Sequence, residues 1–393
     1  MTTHGYAGRT AICGIGATEF SKSSGRSELR LALEACVAAL KDAGVEAARV
    51  NGLSTFSMDT NPENEIMRLL GLAELTHFSR VHFGGGAPCA TVQLAAMAVN
   101  EGVADFVLCY RAFNERSGHR FGTGVQVRPP VATAEESQYA WTSPFGLLTP
   151  ASWVAMFATR MMHTYGVTSE DFGRVAVADR RHAATNPAAH FYGKPITLAE
   201  HQASRYIVEP LHLLDCCQET DGGQAILVTS LERARDLRQA PVVIEAAAQG
   251  MADEQQMMRS YFRESLTGLP EMATCARQIF ETSDLTPDAV QTAVFYDHFT
   301  PFVLPQIEEF GFCERGEARH FIADGNIELG GRLPINTHGG QLGEAYLHGM
   351  NGIAEGVRQV RGTSVNQVAG AEHVLVTGGT GVPTSALMLG QDR

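Results

Sequence analysis

Asn336-Thr337-His338-Gly339-Gly340-Gln341-Leu342-Gly343-Glu344-Ala345-Tyr346-Leu347-His348-Gly349 is the stretch on which the reading of this chain turns. Glycines punctuate it, and side chains that carry protons stand between them. Glycine clusters beside apolar runs suit tight strand–helix turns. Here the Gly339-Gly340 pair is predicted to open a helix that includes Ile353 and Val357. Downstream, Val374-Leu375-Val376 reads as a strand ending in Gly378-Gly379. Upstream, Pro241 to Ile244 and Ala293 to Tyr296 read as strands, with a helix over 270–282 between them.

The same order occurs earlier in the chain. An apolar run at Ala11-Ile12-Cys13-Gly14-Ile15-Gly16 precedes residues 27–44, where Leu29, Leu33, Cys36, Val37 and Leu40 recur at helical spacing before Gly44. Gly52 to Phe56 is a second strand. Gly84-Gly85-Gly86 opens an alanine-rich helix over 89–100, which feeds a strand at Phe106 to Tyr110. Two α/β halves are therefore expected, over 1–235 and 236–393, each with a buried, glycine-flanked helix. An insertion over about 114–210, with a helical stretch from 151 to 165, suits substrate-binding loops or a dimer-stabilising cap.

Composition narrows the function classes. The 393 residues are 44% hydrophobic, enough for a large core, and carry a net charge of −13. No basic run longer than a few residues appears, which argues against nucleic-acid binding. Nor does any apolar stretch approach the roughly 20 residues of a membrane span. Eight cysteines lie mostly in apolar segments, and Cys216-Cys217 are adjacent, poor geometry for a disulfide. Reduced thiols and a cytoplasmic location are expected.

Five segments together resemble the thiolase superfamily, in its lipid-transfer and sterol-carrier branch: Gly14 to Phe20, Gly84 to Val99, Pro210 to Gly223, Tyr296-Asp297-His298-Phe299 and Asn336 to Gly352. The resemblance covers most of the chain and implies a five-layer αβαβα sandwich. In that family a nucleophilic cysteine precedes the first buried helix. The register of Ala95 to Val99 puts that position at Gly85, and Cys89, four residues later, is read as structural. The family's histidine in His-Asp-Cys-Phe corresponds to Tyr296, and its second histidine, six residues after the Gly pair, to Tyr346. The position of the C-terminal cysteine falls near Leu375. Both sulfurs and both imidazoles are gone, and two phenols stand in the imidazole positions.

Val81 to Gly86 and Cys109 to Gly118 resemble the steroid side-chain-cleaving aldolases of this superfamily. That resemblance implies retro-aldol cleavage of a β-hydroxyacyl-CoA, namely a 17-hydroxy steroid bearing a short 20-carboxyl-CoA side chain. The products would be a 17-ketosteroid and propionyl-CoA. Tyr296 and Tyr346 are the expected acid–base pair, supported by Asp297, His298 and His348. Both histidines read either as rim residues with exposed edges or as groups that tune tyrosine ionisation or bind a substrate oxygen; backbone N–H groups or a cationic His298 would stabilise a phenolate. Backbone N–H groups of Gly85, Gly86, Gly339, Gly340, Gly378 and Gly379 are the expected oxyanion and substrate donors. The resemblance also implies a homodimer core with an OB-fold, acyl-CoA-associated partner. No cofactor is expected beyond the coenzyme A carried by the substrate, and no metal, although a His298, His338 and His348 set is conceivable. Two rival readings remain open here: a sterol-carrier-type thiolase using Cys89, and a non-catalytic lipid or acyl-CoA binding protein.

Overall fold

The computed structural model describes residues 5–82, 84–124, 133–256, 258, 261–380 and 383–393. The first half contributes β1 (Thr10–Ala17), α1 (Glu28–Ala43), β2 (Gly52–Phe56), β3 (His77–Val81), α2 (Pro88–Asn100) and β4 (Phe106–Asn114). The insertion carries α3 (Pro150–Tyr165), α4 (Ser169–Thr185) and a small hairpin, β5 (Tyr206–Val208) with β6 (Leu211–His212). β7 (Asp221–Ser230) returns the chain to the main sheet. The second half supplies β8 (Val242–Gly250), α5 (Pro270–Ser283), β9 (Thr292–Val294), α6 (Met350–Arg361), β10 (His373–Gly378) and β11 (Thr384–Gln391).

Nine strands run in the order β3-β2-β4-β7-β1-β8-β11-β10-β9. The halves meet in the sheet at β1 and β8, where Ala11 pairs with Val243 and Ile12 with Val242. Outward from that seam the pairing repeats. β1–β7 and β7–β4 are antiparallel and β4–β2 is parallel; β8–β11 and β11–β10 are antiparallel and β10–β9 is parallel. α1 covers the outer face of β1, β7 and β4, and α5 that of β8 and β11. α2 and α6 lie between, touching strands of both halves, which gives five layers. α2 suits the central layer because its residues are apolar nearly all round, Ala90, Val92, Ala95, Ala96 and Val99 among them.

Local signals account for the helix limits. Ser27 caps α1 by accepting the Arg30 N–H, and Gly44 ends it with φ 71°. Thr149 and Thr168 form capping boxes at α3 and α4. The insertion packs into the second half's core, where Val154, Ala158 and Phe172 join Met272, Phe302 and Ile307. Among the described residues no helix is long and apolar enough to cross a membrane.

Two expected elements are corrected. Gly339-Gly340 open only a single turn, Gly340–Gly343, and the long helix starts at Met350. The interruption has a backbone cause, because His348 (φ 51°) and Gly349 (φ 82°) both lie in the left-handed region. Tyr346 therefore sits in a break between helices. The strand expected through Tyr296 also ends earlier, at Val294, which leaves Tyr296 just beyond the sheet.

Candidate active site

Tyr296 leaves β9 with its backbone held on both sides. Its N–H donates to Thr377 Oγ1 (2.9 Å) and Gln306 Oε1 (3.2 Å), and its carbonyl accepts from Gln306 Nε2 (3.0 Å). Tyr346 is tethered through Thr220, whose Oγ1 accepts the Tyr346 N–H at 2.9 Å. The two phenol oxygens lie 3.3 Å apart and hydrogen-bond, with the side chains 3% and 9% exposed. Phe113, Leu347 and the edges of Phe20, Phe121 and Cys217 surround them. Burial pushes both phenols well above their ordinary range; the shared hydrogen bond partly offsets this for Tyr296 and adds to it for Tyr346.

Position 85 explains where the Tyr296 hydroxyl goes. A Cβ at Gly85 would lie 2.0 Å from Tyr296 Oη, so the hydroxyl fills the volume that any side chain there would need. Gly85 and Gly86 form the turn ahead of α2, and Gly349 precedes α6 against the Tyr296 ring. Two helix N-termini thus converge on the phenol pair, and their dipoles favour negative charge there.

His298 and His348 are buried, not at the rim. Burial lowers the His298 pKa to about 3, so the ring is neutral and cannot act as the expected cation. It stacks on Phe302 at 5.3 Å with its Nδ1 3.4 Å from Thr380 Oγ1. His348 is held well below the usual histidine range by burial and by the charge of Arg111. Arg111 donates Nε–H to His348 Nδ1 (3.2 Å) and pairs with buried Asp59 (3.2 Å). The proton of neutral His348 therefore resides on Nε2. That nitrogen faces the Gly84 turn, where a Cβ would lie 3.1 Å away. His348 stacks on Phe113 at 5.2 Å and meets Tyr346 edge-on at 5.0 Å.

Asp297 supports the site from behind. Its carboxyl accepts the N–H groups of Gln341 (2.9 Å) and Leu342 (3.1 Å), and it lies beside buried Asp179 of α4. Burial pushes both carboxyls up, and the neighbouring Asp297 charge adds to this for Asp179. Gly339 is withdrawn as an oxyanion donor. A Cβ at Gly340 would strike Asp297 Oδ2 at 2.1 Å and one at Gly339 would strike Ala183 at 2.5 Å, while the Gly339 N–H is already donated to Asn336 O (2.7 Å). The pair allows the loop to approach Asp297 and α4. Gly378 packs on Pro88 at the start of α2, and the Gly379 carbonyl accepts from Thr384 Oγ1 at 3.1 Å.

Cys89 lies in the central layer, fully buried, with Sγ 3.6 Å from Val376 O. Desolvation pushes its thiol far up, so no thiolate forms near neutrality. Cys89→Ala is expected to leave turnover within about threefold while lowering stability by about 1–2 kcal/mol through the lost packing, read by kinetics and denaturant unfolding. Among the described residues no group of three or more His, Cys, Asp or Glu could hold a metal ion.

Sequence reasoning missed Arg111, Phe113, Glu115 and Thr220 as site residues. The available signal was the period-two alternation at the end of β4, which carries Arg111 and Phe113 to the central-layer face and Glu115 on beyond the strand.

The chain is similar to several known proteins. Residues 252–390 match the model of the family described as thiolase C-terminal domain-like. The chain is 64% identical to the steroid side-chain-cleaving aldolase of Thermomonospora curvata, covering 98% of this chain and 99% of that protein. It is 66% identical to the 17-hydroxy-3-oxo-4-pregnene-20-carboxyl-CoA lyase of Mycobacterium tuberculosis, covering 98% and 100%. A solved structure named Ltp2-ChsH2(DUF35) aldolase superposes with a TM-score of 0.95 at 63% identity, over 99% of this chain and 100% of that one. A monomeric SCP2-thiolase-like protein from Mycobacterium smegmatis shares the fold at 18% identity, with a TM-score of 0.73 over 100% of this chain and 78% of that one.

Proposed function

The chain belongs to the thiolase superfamily, in the family of the steroid side-chain-cleaving aldolases, and from that premise we propose that Tyr296 and Tyr346 perform its chemistry: retro-aldol cleavage of a 17-hydroxy steroid 20-carboxyl-CoA to a 17-ketosteroid and propionyl-CoA. The observation that carries this reading is the 3.3 Å phenol pair beside Gly85. A tertiary β-alcohol cannot be oxidised to a β-ketone, so thiolysis is closed to it, whereas retro-aldol cleavage is open.

One phenol oxygen, as phenolate, takes the proton of the substrate hydroxyl. The O–H electrons form the ketone, the Cα–Cβ bond breaks, and its electrons enter the thioester enolate. The other phenol gives its proton to Cα and yields propionyl-CoA. A proton then crosses between the phenols and restores the pair, so no redox partner is consumed. The helix N-termini at Gly85-Gly86 and Gly349, with the Nε2–H of His348, supply positive potential for the enolate oxygen. A covalent thioester through Cys89 has little support, because that thiol is packed into the core.

A DUF35 partner follows from the relative's complex. We propose further that this partner uses an OB-fold and that the chain forms a homodimer. β3 is an open edge carrying Phe78 at 68% exposure, a surface suited to pairing with a second copy. The eight free cysteines fit a cytoplasmic setting. The division into halves near residue 235, with 114–210 as a cap, belongs to the same proposal. The test is incubation of the chain with its DUF35 partner and a tertiary β-hydroxyacyl-CoA. Release of propionyl-CoA and ketone in equal amounts is expected. An inert complex whose Cys89 becomes acylated, seen by intact mass, would replace this reading with a thiolase.

A further inference from the structure

Arg111 is a buried cation that the chemistry above leaves without a task. It lies in β4, is 1% exposed, and pairs with Asp59, an acid three residues beyond β2. Asp59 is itself held in place. Its Oδ1 accepts from the Asn61 N–H and Nδ2, both at 2.9 Å, and its Oδ2 accepts the Ala112 N–H at 3.1 Å. The guanidinium carbon stands 4.1 Å from the centre of the Phe113 ring and 5.8 Å from that of Phe56. The same two rings flank His348, Phe113 in a stack at 5.2 Å and Phe56 at 6.0 Å. An ion pair, two aromatic walls and the strand itself thus fix the direction of the Arg111 Nε–H, which donates to His348 Nδ1 at 3.2 Å.

That bond decides the form of the imidazole. A guanidinium donates and never accepts. Nδ1 must present its lone pair, so the ring keeps one proton, on Nε2, and has no place for a second. A carboxylate at Nδ1 would favour the cation; an arginine there imposes the neutral ring. His348 is in this way a donor on one side only.

The donor side borders the phenol pair. A Cβ at Gly84 would lie 3.1 Å from His348 Nε2, and one at the next residue, Gly85, 2.0 Å from Tyr296 Oη. His348 Nε2 and the Tyr296 hydroxyl therefore flank one turn, and the His348 ring meets the Tyr346 ring edge-on at 5.0 Å. Among the described residues nothing accepts the Nε2–H, nor the N–H groups of Gly85 and Gly86. Fixed donors with no protein acceptor suit an oxygen on which charge develops.

Resting on the retro-aldolase reading, we propose that Arg111 is the positioning residue that makes His348 the side-chain donor to the thioester oxygen. As the Cα–Cβ bond breaks, negative charge collects on that oxygen, and the hydrogen bond from Nε2 strengthens. The Nε2 proton stays where it is; protons move only between the substrate and the phenols. Arg111 touches no substrate and acts through His348 alone.

The experiment uses the chain with its DUF35 partner in wild-type, Arg111→Lys, His348→Gln and His348→Leu forms. Histidine 15N spectra, with the His348 signal identified by its loss in His348→Gln, should show the Nε2–H form in wild type from about pH 6 to about pH 9. Arg111→Lys lacks the planar fork and should show a mixture of forms. Propionyl-CoA labelled with 13C at its carbonyl should show a lower C=O stretch bound to wild type than free, less lowered in Arg111→Lys and least in His348→Leu. On a tertiary β-hydroxyacyl-CoA, His348→Leu is expected to lower kcat by about a hundredfold with KM within about threefold. His348→Gln, which keeps an N–H, and Arg111→Lys should each cost about tenfold. In the His348→Leu background Arg111→Lys should cost nothing further, because the ring it acts through is gone.

A cationic or Nδ1–H His348 in wild type would overturn this inference alone. So would a carbonyl stretch equal in wild type and His348→Leu, or an Arg111→Lys loss that persists in the His348→Leu background, the mark of a merely structural role. Should Arg111→Lys fail to fold, the wild-type spectrum and the contrast between His348→Gln and His348→Leu decide. A wild-type complex that cleaves nothing would overturn the functional reading, and the ring form and carbonyl stretch would still judge the donor.

Discussion

Tyr346→Phe is expected to lower kcat for cleavage of a tertiary β-hydroxyacyl-CoA by about a hundredfold to ten-thousandfold, the range of acid–base contributions, and Tyr296→Phe by a similar factor. Each change removes one oxygen and leaves the ring. The ring of Tyr346 keeps its edge contacts with Phe113 and His348, and that of Tyr296 keeps its contact with His298. Stability should therefore shift by no more than about 1–2 kcal/mol, the scale of one hydrogen bond. The double variant separates this reading from two independent defects. Groups that act as one unit fail together, so Tyr296→Phe/Tyr346→Phe should be little slower than the slower single variant. Release of propionyl-CoA, followed with the DUF35 partner present, reads all three. Single variants within threefold of wild type would move the chemistry off these phenols and towards the partner chain.

The sequence exposed the frame more readily than the chemistry around it. α1 and α5 were legible because apolar residues recur at helical spacing on one face, and Gly44 stops the first with a left-handed turn. β2 was legible as a short buried run. β3 was not, because His77, Ser79 and Arg80 are polar and the strand is an edge. The start of β7 was equally quiet, since Asp221-Gly222-Gly223 are poor strand formers recruited by pairing with β4. Family register pointed to the two tyrosines, but no local pattern could give their 3.3 Å separation, which depends on Thr377, Gln306 and Thr220 from distant segments. The burial of His298 and His348 was hidden for a related reason. Each lies next to polar or glycine residues in sequence, and its neutral state is set by Phe302, Phe113 and Arg111, which arrive through the fold.

Gly85→Ala tests whether the missing side chain at position 85 is what makes room for the Tyr296 phenol. The new methyl would lie 2.0 Å from Tyr296 Oη, 2.5 Å from Cζ and 3.1 Å from Cε1. Tyr296 has little room to retreat. Its backbone is bonded to Thr377 and Gln306, its ring faces His298 at 4.8 Å, and Gly349 closes the other side. The ring must rotate or the Gly84–Ala87 turn must shift, and either movement breaks the bond to Tyr346. Turnover is expected to fall by at least about a hundredfold, close to the loss in Tyr296→Phe, with a further destabilisation of about 1–3 kcal/mol from overpacking that Tyr296→Phe does not share. Gly85→Cys should fail in the same way and gain nothing. Its sulfur would enter the volume of the hydroxyl, and the adjacent His348 imidazole, with Nδ1 accepting from Arg111 and the proton on Nε2, cannot take the thiol proton, so intact mass after exposure to acyl-CoA should show no acylation. Sulfur at position 85 and a hydroxyl at position 296 are mutually exclusive occupants of one volume. Moving between thiolysis and C–C cleavage on this scaffold therefore requires positions 85 and 296 to change together, and a Gly85→Ala enzyme that retained wild-type turnover would show that the two are independent.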